Sequence, residues 1–288
     1  MKELEETEGY SIKEMCAILG ISRSAYYHWL RHPRSNDEIE NEELAVIAEK
    51  IHSNHPDMGY RRLGDELSRE CSRRINDKRM LRICRARKIQ SAIKWKPKCC
   101  TRGTRDAAHL ADNILNREFT ATAPNEKWLT DVSEFKYCKD GDIRKVYLSA
   151  ILDLYDRRIV AYRISDSNNN PLVIETFNEA FASEPDAHPL CHSDRGFQYT
   201  STPFWCLMQE HGCVHSMSRI AHCIDNGPME GFWGILKREA YYGRKFTGRT
   251  ELVAAISSYI DYYNNLRVQR KLHRKTPMEF HSEFNAAA

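Results

Sequence analysis

KWLTDVSEFKYCKDGDIRKVYLSAILDLYDRRIVAYRI, residues 127–164, is where the chain changes its hydrophobic period from that of a helix to that of a strand. Apolar and polar residues alternate through 127–138, KDGD (139–142) supplies an Asp-Gly turn, and 144–155 and 157–164 continue as two further strands. This predicts three consecutive antiparallel strands. Alternation in WLTDVSEF puts Asp131 on one face with Ser133 and Phe135, and Glu134 on the other. Of the two acids, Asp131 is therefore the candidate for a site on that face.

Toward the C-terminus the pattern becomes α/β. A helix is predicted from Asn170 as cap, with Pro171 at its first position, to about Ser183, carrying Leu172, Ile174, Phe177 and Phe181. PLCHSD (189–194) reads as a short buried strand, Pro203 opens a helix through Met208, and CVHSMS (213–218) is a fifth strand. Pro228 opens the helix 229–242, and a last helix spans Thr250 to about Leu266 with Val253, Ile256, Ile260 and Tyr263 inward. Three antiparallel strands followed by alternating helices and strands is the element order of a ribonuclease H fold, an α/β class with a mixed five-stranded sheet.

Toward the N-terminus the chain is helical. YSIKEMCAILGISRSAYYHWL (10–30) sets Ile12, Met15, Ile18 and Leu19 at helical spacing, stops at Gly20, and restarts at Ser22. That is helix, turn, helix, a unit that could set Arg23, Ser24 and Tyr27 against DNA. An acidic helix follows at 37–52 with Leu44, Ile47 and Ile51 inward; another starts at Tyr60, Leu63 and Leu67. A further one begins at Asn76 or Asp77, with Met80, Ile83 and Cys84 opposite Lys78, Arg82 and Arg85. Periodicity is lost from Lys94 to Asp112. The domains expected are 1–105 helical, basic and DNA-binding, 106–120 a linker, and 121–284 the catalytic core with its C-terminal helix.

The net charge of +3 conceals segregation. Residues 61–105 hold sixteen Lys and Arg against four acids and residues 237–275 ten against three, so two basic runs flank the candidate site. Such runs release counterions on meeting phosphates, which favours nucleic acid as partner, with Arg61, Arg62, Arg82, Arg85 and Lys237 as candidate contacts. No stretch resembles a membrane span or a secretory signal, so the expected place is the cytoplasm. Ten irregularly spaced cysteines read as reduced thiols. Cys206, His211, Cys213 and His215 lack paired zinc spacing.

Phosphoryl transfer needs metal ions that neutralise developing charge, and a few carboxylates suffice to hold magnesium. Asp194 lies where its strand exits, and Glu230 stands in the first turn after Pro228, seven residues before Lys237 on the same face. Three acids thus come from three different elements. Asp153 and Asp156 suit a turn, and His192 beside Asp194 suits packing or hydrogen bonding.

WLTDVSEF, HSDRGFQYTS, SMSR with DNGPMEGFWGILKRE, and YIDYYNNLRVQRKLHRKTPMEF together resemble the second-frame (OrfB-type) transposases of the bacterial insertion sequence three family, of the D,D,E superfamily with retroviral integrases. GYRRLGDEL and INDKRMLRICRARKIQ extend the resemblance over nearly the whole chain. Between Asp194 and Glu230 lie 230 − 194 − 1 = 35 residues, the superfamily spacing. The resemblance implies an integrase-type core whose triad is Asp131, Asp194 and Glu230, holding two Mg²⁺ ions with Mn²⁺ as substitute. It implies 3′-end cleavage and strand transfer on terminal inverted repeats and target DNA, a homo-multimer, and an upstream-frame partner or fusion. Departures are Ile220, Ala221 and His222 where the family has Lys-Gly-Asn or similar, and Gly231 for a usual Ser. The rival readings are a DNA-binding regulator with a vestigial site and a ribonuclease H-like nuclease.

Overall fold

A computed structural model describes residues 7–31, 34–93, 109–219 and 223–287. Most of the stretch without periodicity, and the departure at 220–222, lie outside the described residues. Five helices whose bounds lie among the described residues precede the sheet: α1 (Ile12–Ile18), α2 (Arg23–Arg31), α3 (Asn36–Asn54), α4 (Tyr60–Glu70) and α5 (Asp77–Ala86). Three of them start at side-chain caps. Ser22 Oγ accepts from Ala25 N, Ser35 and Glu38 form a reciprocal capping box, and Asn76 accepts from Lys78 N. Helices α3, α4 and α5 enclose a core of Leu44, Ala48, Leu63, Leu67, Met80 and Ile83. In α1 the inward stripe is Ile12, Met15 and Cys16, whereas Ile18 and Leu19, expected on it, are exposed where the helix ends.

The sheet contains β1 (Lys127–Lys139), β2 (Asp142–Asp153), β3 (Ile159–Ser165), β4 (Leu190–Ser193) and β5 (Val214–Met217) in the order β3-β2-β1-β4-β5. The first three strands pair antiparallel, and β4 and β5 join parallel to β1. This is the mixed five-stranded sheet expected of the fold. One face is covered by α6 (Asn170–Ser183) and α7 (Thr202–Glu210), which bury Val173, Phe177 and Phe204 with Trp128 and Met217. The other is covered by α8 (Gly227–Leu236) and α9 (Arg249–Asn265), burying Phe232, Leu236, Ile256 and Tyr263 on Leu129, Phe135 and Leu148. A last helix, α10 (Pro277–Ala287), follows a bridge between Gln269 and Lys275.

Three local expectations are corrected. Asn169, not Asn170, caps α6, accepting from Leu172 N at 3.1 Å. The inward residues of α9 include Leu252 and Tyr259 with Ile256, Ile260 and Tyr263, whereas Val253 is only half-buried. Helix α8 does not run unbroken to Tyr242: residues Lys237–Tyr241 form a π turn. No helix among the described residues is long and apolar enough to cross a membrane.

Candidate active site

The site grows out of the parallel pairing of β1 with β4. Lys127, Trp128 and Leu129 lie opposite Leu190, Cys191 and His192. Two residues beyond Leu129 is Asp131, and two beyond His192 is Asp194, so the same register brings both carboxylates to one level of neighbouring strands. Neighbouring strands run about 5 Å apart, where two like charges repel by roughly 3 kcal/mol at an effective dielectric near 20. The titration behaviour agrees: burial, then the Asp194 carboxylate, pushes Asp131 above the ordinary range, and burial pushes Asp194 up as well.

Each aspartate is oriented by N–H donors, and Asp131 receives the Val132 backbone N–H besides an indole. Gly196 N donates to Asp194 Oδ1 at 2.8 Å, and Trp233 Nε1 donates to Asp131 Oδ2 at 2.9 Å. Beneath the pair lies Tyr199, 1% exposed, its hydroxyl 3.2 Å from Thr130 Oγ1. Burial and the two carboxylates drive that phenol well above its usual pKa, so it stays protonated. Glu230 stands exposed in the first turn of α8; its charge reaches Asp131 as a lesser contribution than that of Asp194. Among the described residues, no three His, Cys, Asp or Glu side chains already converge as a metal cluster. The donors present are all hard oxygens, and the mutual repulsion of the aspartate pair is what a dication would relieve. The pair fits such an ion.

Lys237 opens the π turn, with Nζ 5.1 Å from the centre of the Phe135 ring of β1. Burial lowers its pKa while the charges of Asp131 and Glu134 oppose the fall. The other bases separate into two groups. Arg61, Arg82 and Arg85 are exposed, as are Arg23, Ser24 and Tyr27 on α2. Arg62 turns inward instead, bonding Asp57 at 2.7 Å, Glu239 at 2.6 Å and the Tyr262 hydroxyl at 3.2 Å.

Several acids and imidazoles near the site are structural. His192 is fully buried between Ser216 (2.9 Å) and Ser218 (3.0 Å), and burial depresses its pKa to about 4. Asp153 accepts from Asn125 N and Tyr155 N, and Asp156 binds Arg158 and His281. Sequence reading passed over Asp225, which is buried and receives Arg219 and Arg117, the former above all holding its carboxyl far below the usual range. It also passed over Trp233 and Tyr199, since an aromatic in an apolar run looks like core until its polar atom is located. Cys16, Cys71, Cys84, Cys138, Cys191, Cys206 and Cys213 form no disulfide.

Comparison with known proteins identifies the family. Residues 121–223 and 230–283 match two family models, each described as Integrase core domain, and 38–97 match an HTH-like domain. The chain is 36% identical to the putative transposase InsK for insertion sequence element IS150 of Escherichia coli (strain K12), over 98% of each chain. It is 33% identical to the insertion element IS600 uncharacterized 31 kDa protein of Shigella sonnei, covering 95% of this chain and 100% of that one. Among solved structures, the HTLV-2 integrase catalytic core domain in complex with magnesium aligns with TM-score 0.43 and 21% identity, over 55% of this chain and 97% of that.

Proposed function

The chain belongs to the insertion-sequence transposases that carry an integrase core, and from that membership we propose that it cuts phosphodiesters at the ends of its element and joins each exposed 3′-hydroxyl to target DNA. One observation carries the reading: the β1–β4 register sets Asp131 and Asp194 side by side, each raised in pKa by burial and Asp131 further by its neighbour. Asp131 and Asp194 would hold a divalent ion, Mg²⁺ with Mn²⁺ as substitute and two ions per site, with Glu230 completing the oxygen set. A bound dication supplies charge neutralisation at the scissile phosphate and a water of lowered pKa.

The chain's own residues then orient and shield. Trp233 and Gly196 fix the two carboxylates, and Lys237 offers a cation beside them for a phosphate. Residues 1–105 would engage the terminal inverted repeats through Arg61, Arg82 and Arg85, residues 106–120 would link, and 121–284 would act as a multimer on DNA, with or without an upstream-frame partner, in the bacterial cytoplasm. A regulator that binds DNA without cutting is the second reading, favoured by the lack of a closed three-ligand cluster among the described residues.

Joining of labelled duplexes with pre-exposed 3′ ends separates the two. Mg²⁺-dependent joining by the full chain, abolished in Glu230→Gln, is the expected result. DNA binding with no joining by either protein, with and without Mg²⁺, would favour the regulator.

A further inference from the structure

Four side chains of the α8 segment fall at intervals of four, three and four residues: Asn226, Glu230, Trp233 and Lys237. That spacing defines one helical stripe, and the described contacts lay it along β1. Asn226 Nδ2 donates to the Thr130 carbonyl at 3.2 Å, Trp233 Nε1 to Asp131 Oδ2 at 2.9 Å, and Lys237 Nζ lies over Phe135. Two polar tethers thus reach consecutive residues of one strand from either side of Glu230.

Neither tether is explained by packing. Trp233 is 7% exposed and packs at a tilt against Phe232, a contact that asks only for an apolar ring; only indole supplies the N–H that meets the carboxylate. Asn226 is 4% exposed, and its Oδ1 meets no donor among the described residues. An amide that leaves its acceptor unfilled while donating to Thr130 is placed by that donation, because a buried unpaired acceptor costs free energy.

We propose that Trp233, assisted by Asn226, is a positioning residue that fixes the rotation of the Asp131 carboxylate and holds β1 in register with the Glu230 helix, so that the three acids can close on a divalent ion. The proposal rests on the metal-dependent reading above. The Val132 backbone N–H also bonds Asp131, but only the indole reaches it from α8; a carboxylate oxygen that accepts from such a side chain keeps a defined lone-pair direction, and partners of this kind change metal affinity about 10- to 100-fold when removed. The two residues act through Asp131 and not on DNA.

The test uses the full chain without DNA, with Mn²⁺ binding followed by electron paramagnetic resonance in wild type, Trp233→Phe and Asp131→Asn. The expected result is Mn²⁺ binding lost in Asp131→Asn and weakened about 10- to 100-fold in Trp233→Phe. In joining assays, excess Mn²⁺ should then restore Trp233→Phe while its KM for DNA stays unchanged. Wild-type Mn²⁺ affinity in Trp233→Phe, with binding lost in Asp131→Asn, overturns the positioning role alone. Equal binding by wild type and Asp131→Asn overturns the site reading, and this proposal with it. If Trp233→Phe does not fold, nitrogen-15 spectra of the five tryptophan indoles in the wild-type chain still decide. One N–H signal should move on Mg²⁺ addition and in Asp131→Asn; five unmoved signals overturn the proposal.

Discussion

A methyl group added at Gly196 would stand 2.9 Å from Asp194 Oδ1 and 3.0 Å from Gln198 Oε1, closer than a Cβ tolerates. The same glycine donates its N–H to that oxygen, so the backbone and the carboxylate are packed against each other with no room between them. Gly196→Ala must therefore turn the Asp194 carboxylate, and a misplacement of about 1 Å can cost 10²-fold in a reaction that depends on alignment. Strand transfer should fall about 10- to 100-fold while thermal unfolding shifts by only a few degrees. Unchanged joining by the variant would remove Asp194 from the reacting site.

Strands β4 and β5 are tied by imidazoles as well as by their ladder. His192 of β4 lies between Ser216 and Ser218, and His215 of β5 lies 3.2 Å from Ser193 Oγ. Burial depresses both to about 4 from an ordinary 6.5, and His192 adds to the fall at His215. For a depressed base the stabilisation is complete above pH 6.5 and disappears as pH falls through 4, because the unfolded chain takes up the proton first. The stability difference between wild type and His215→Gln should narrow by roughly 1–2 kcal/mol over that window, discounted for the part-exposed ring. Urea unfolding at a series of pH values measures it, and a constant gap would exclude His215 as the cause. On the other side of the sheet, the π turn at Lys237–Tyr241 serves three divergent demands. Lys237 leans on Phe135, Glu239 reaches Arg267 and the Tyr259 hydroxyl, and Tyr241 exchanges two hydrogen bonds with the backbone of Lys136. A widened turn releases the side chains from a strict helical stripe.

The helical N-terminal region docks on the core through ion pairs that no local pattern announces. Glu239, 7% exposed, gathers Arg62 from α4 and Arg267 from the segment after α9; burial opposes its ionisation, but the two arginines hold its pKa below the usual range. Nearby, Arg270 spans Asp65 and Asp77, Arg274 joins Asp65, and His55 stacks on Tyr262. Removing one member of a buried pair costs about 3–5 kcal/mol, far more than an exposed charge contributes. Arg62→Gln should accordingly lower stability by about 3 kcal/mol and speed proteolysis between α5 and β1. Arg82→Gln and Arg85→Gln should leave stability within about 0.5 kcal/mol while weakening DNA binding with a shallower salt dependence. A stable, compact Arg62→Gln with weakened DNA binding would return Arg62 to the DNA surface.

Strand alternation, proline-opened helices and capping residues located the sheet, α6, α7 and the start of α8 from the sequence alone. Each is a relation between neighbours, fixed by backbone geometry over a few residues. Asp131 could be chosen over Glu134 for the same reason. The sequence also determined the order of the three acids, through motifs that stand in line. It could not tell Arg62 from Arg61: two adjacent arginines on one helix differ only in what the folded chain sets beside them, and for Arg62 that is Tyr262, 200 residues away. Trp233 was equally opaque, because an indole in an apolar run becomes a hydrogen-bond donor to Asp131 only once α8 lies on β1. Local periodicity assigns faces; packing between distant elements decides which polar atoms those faces meet.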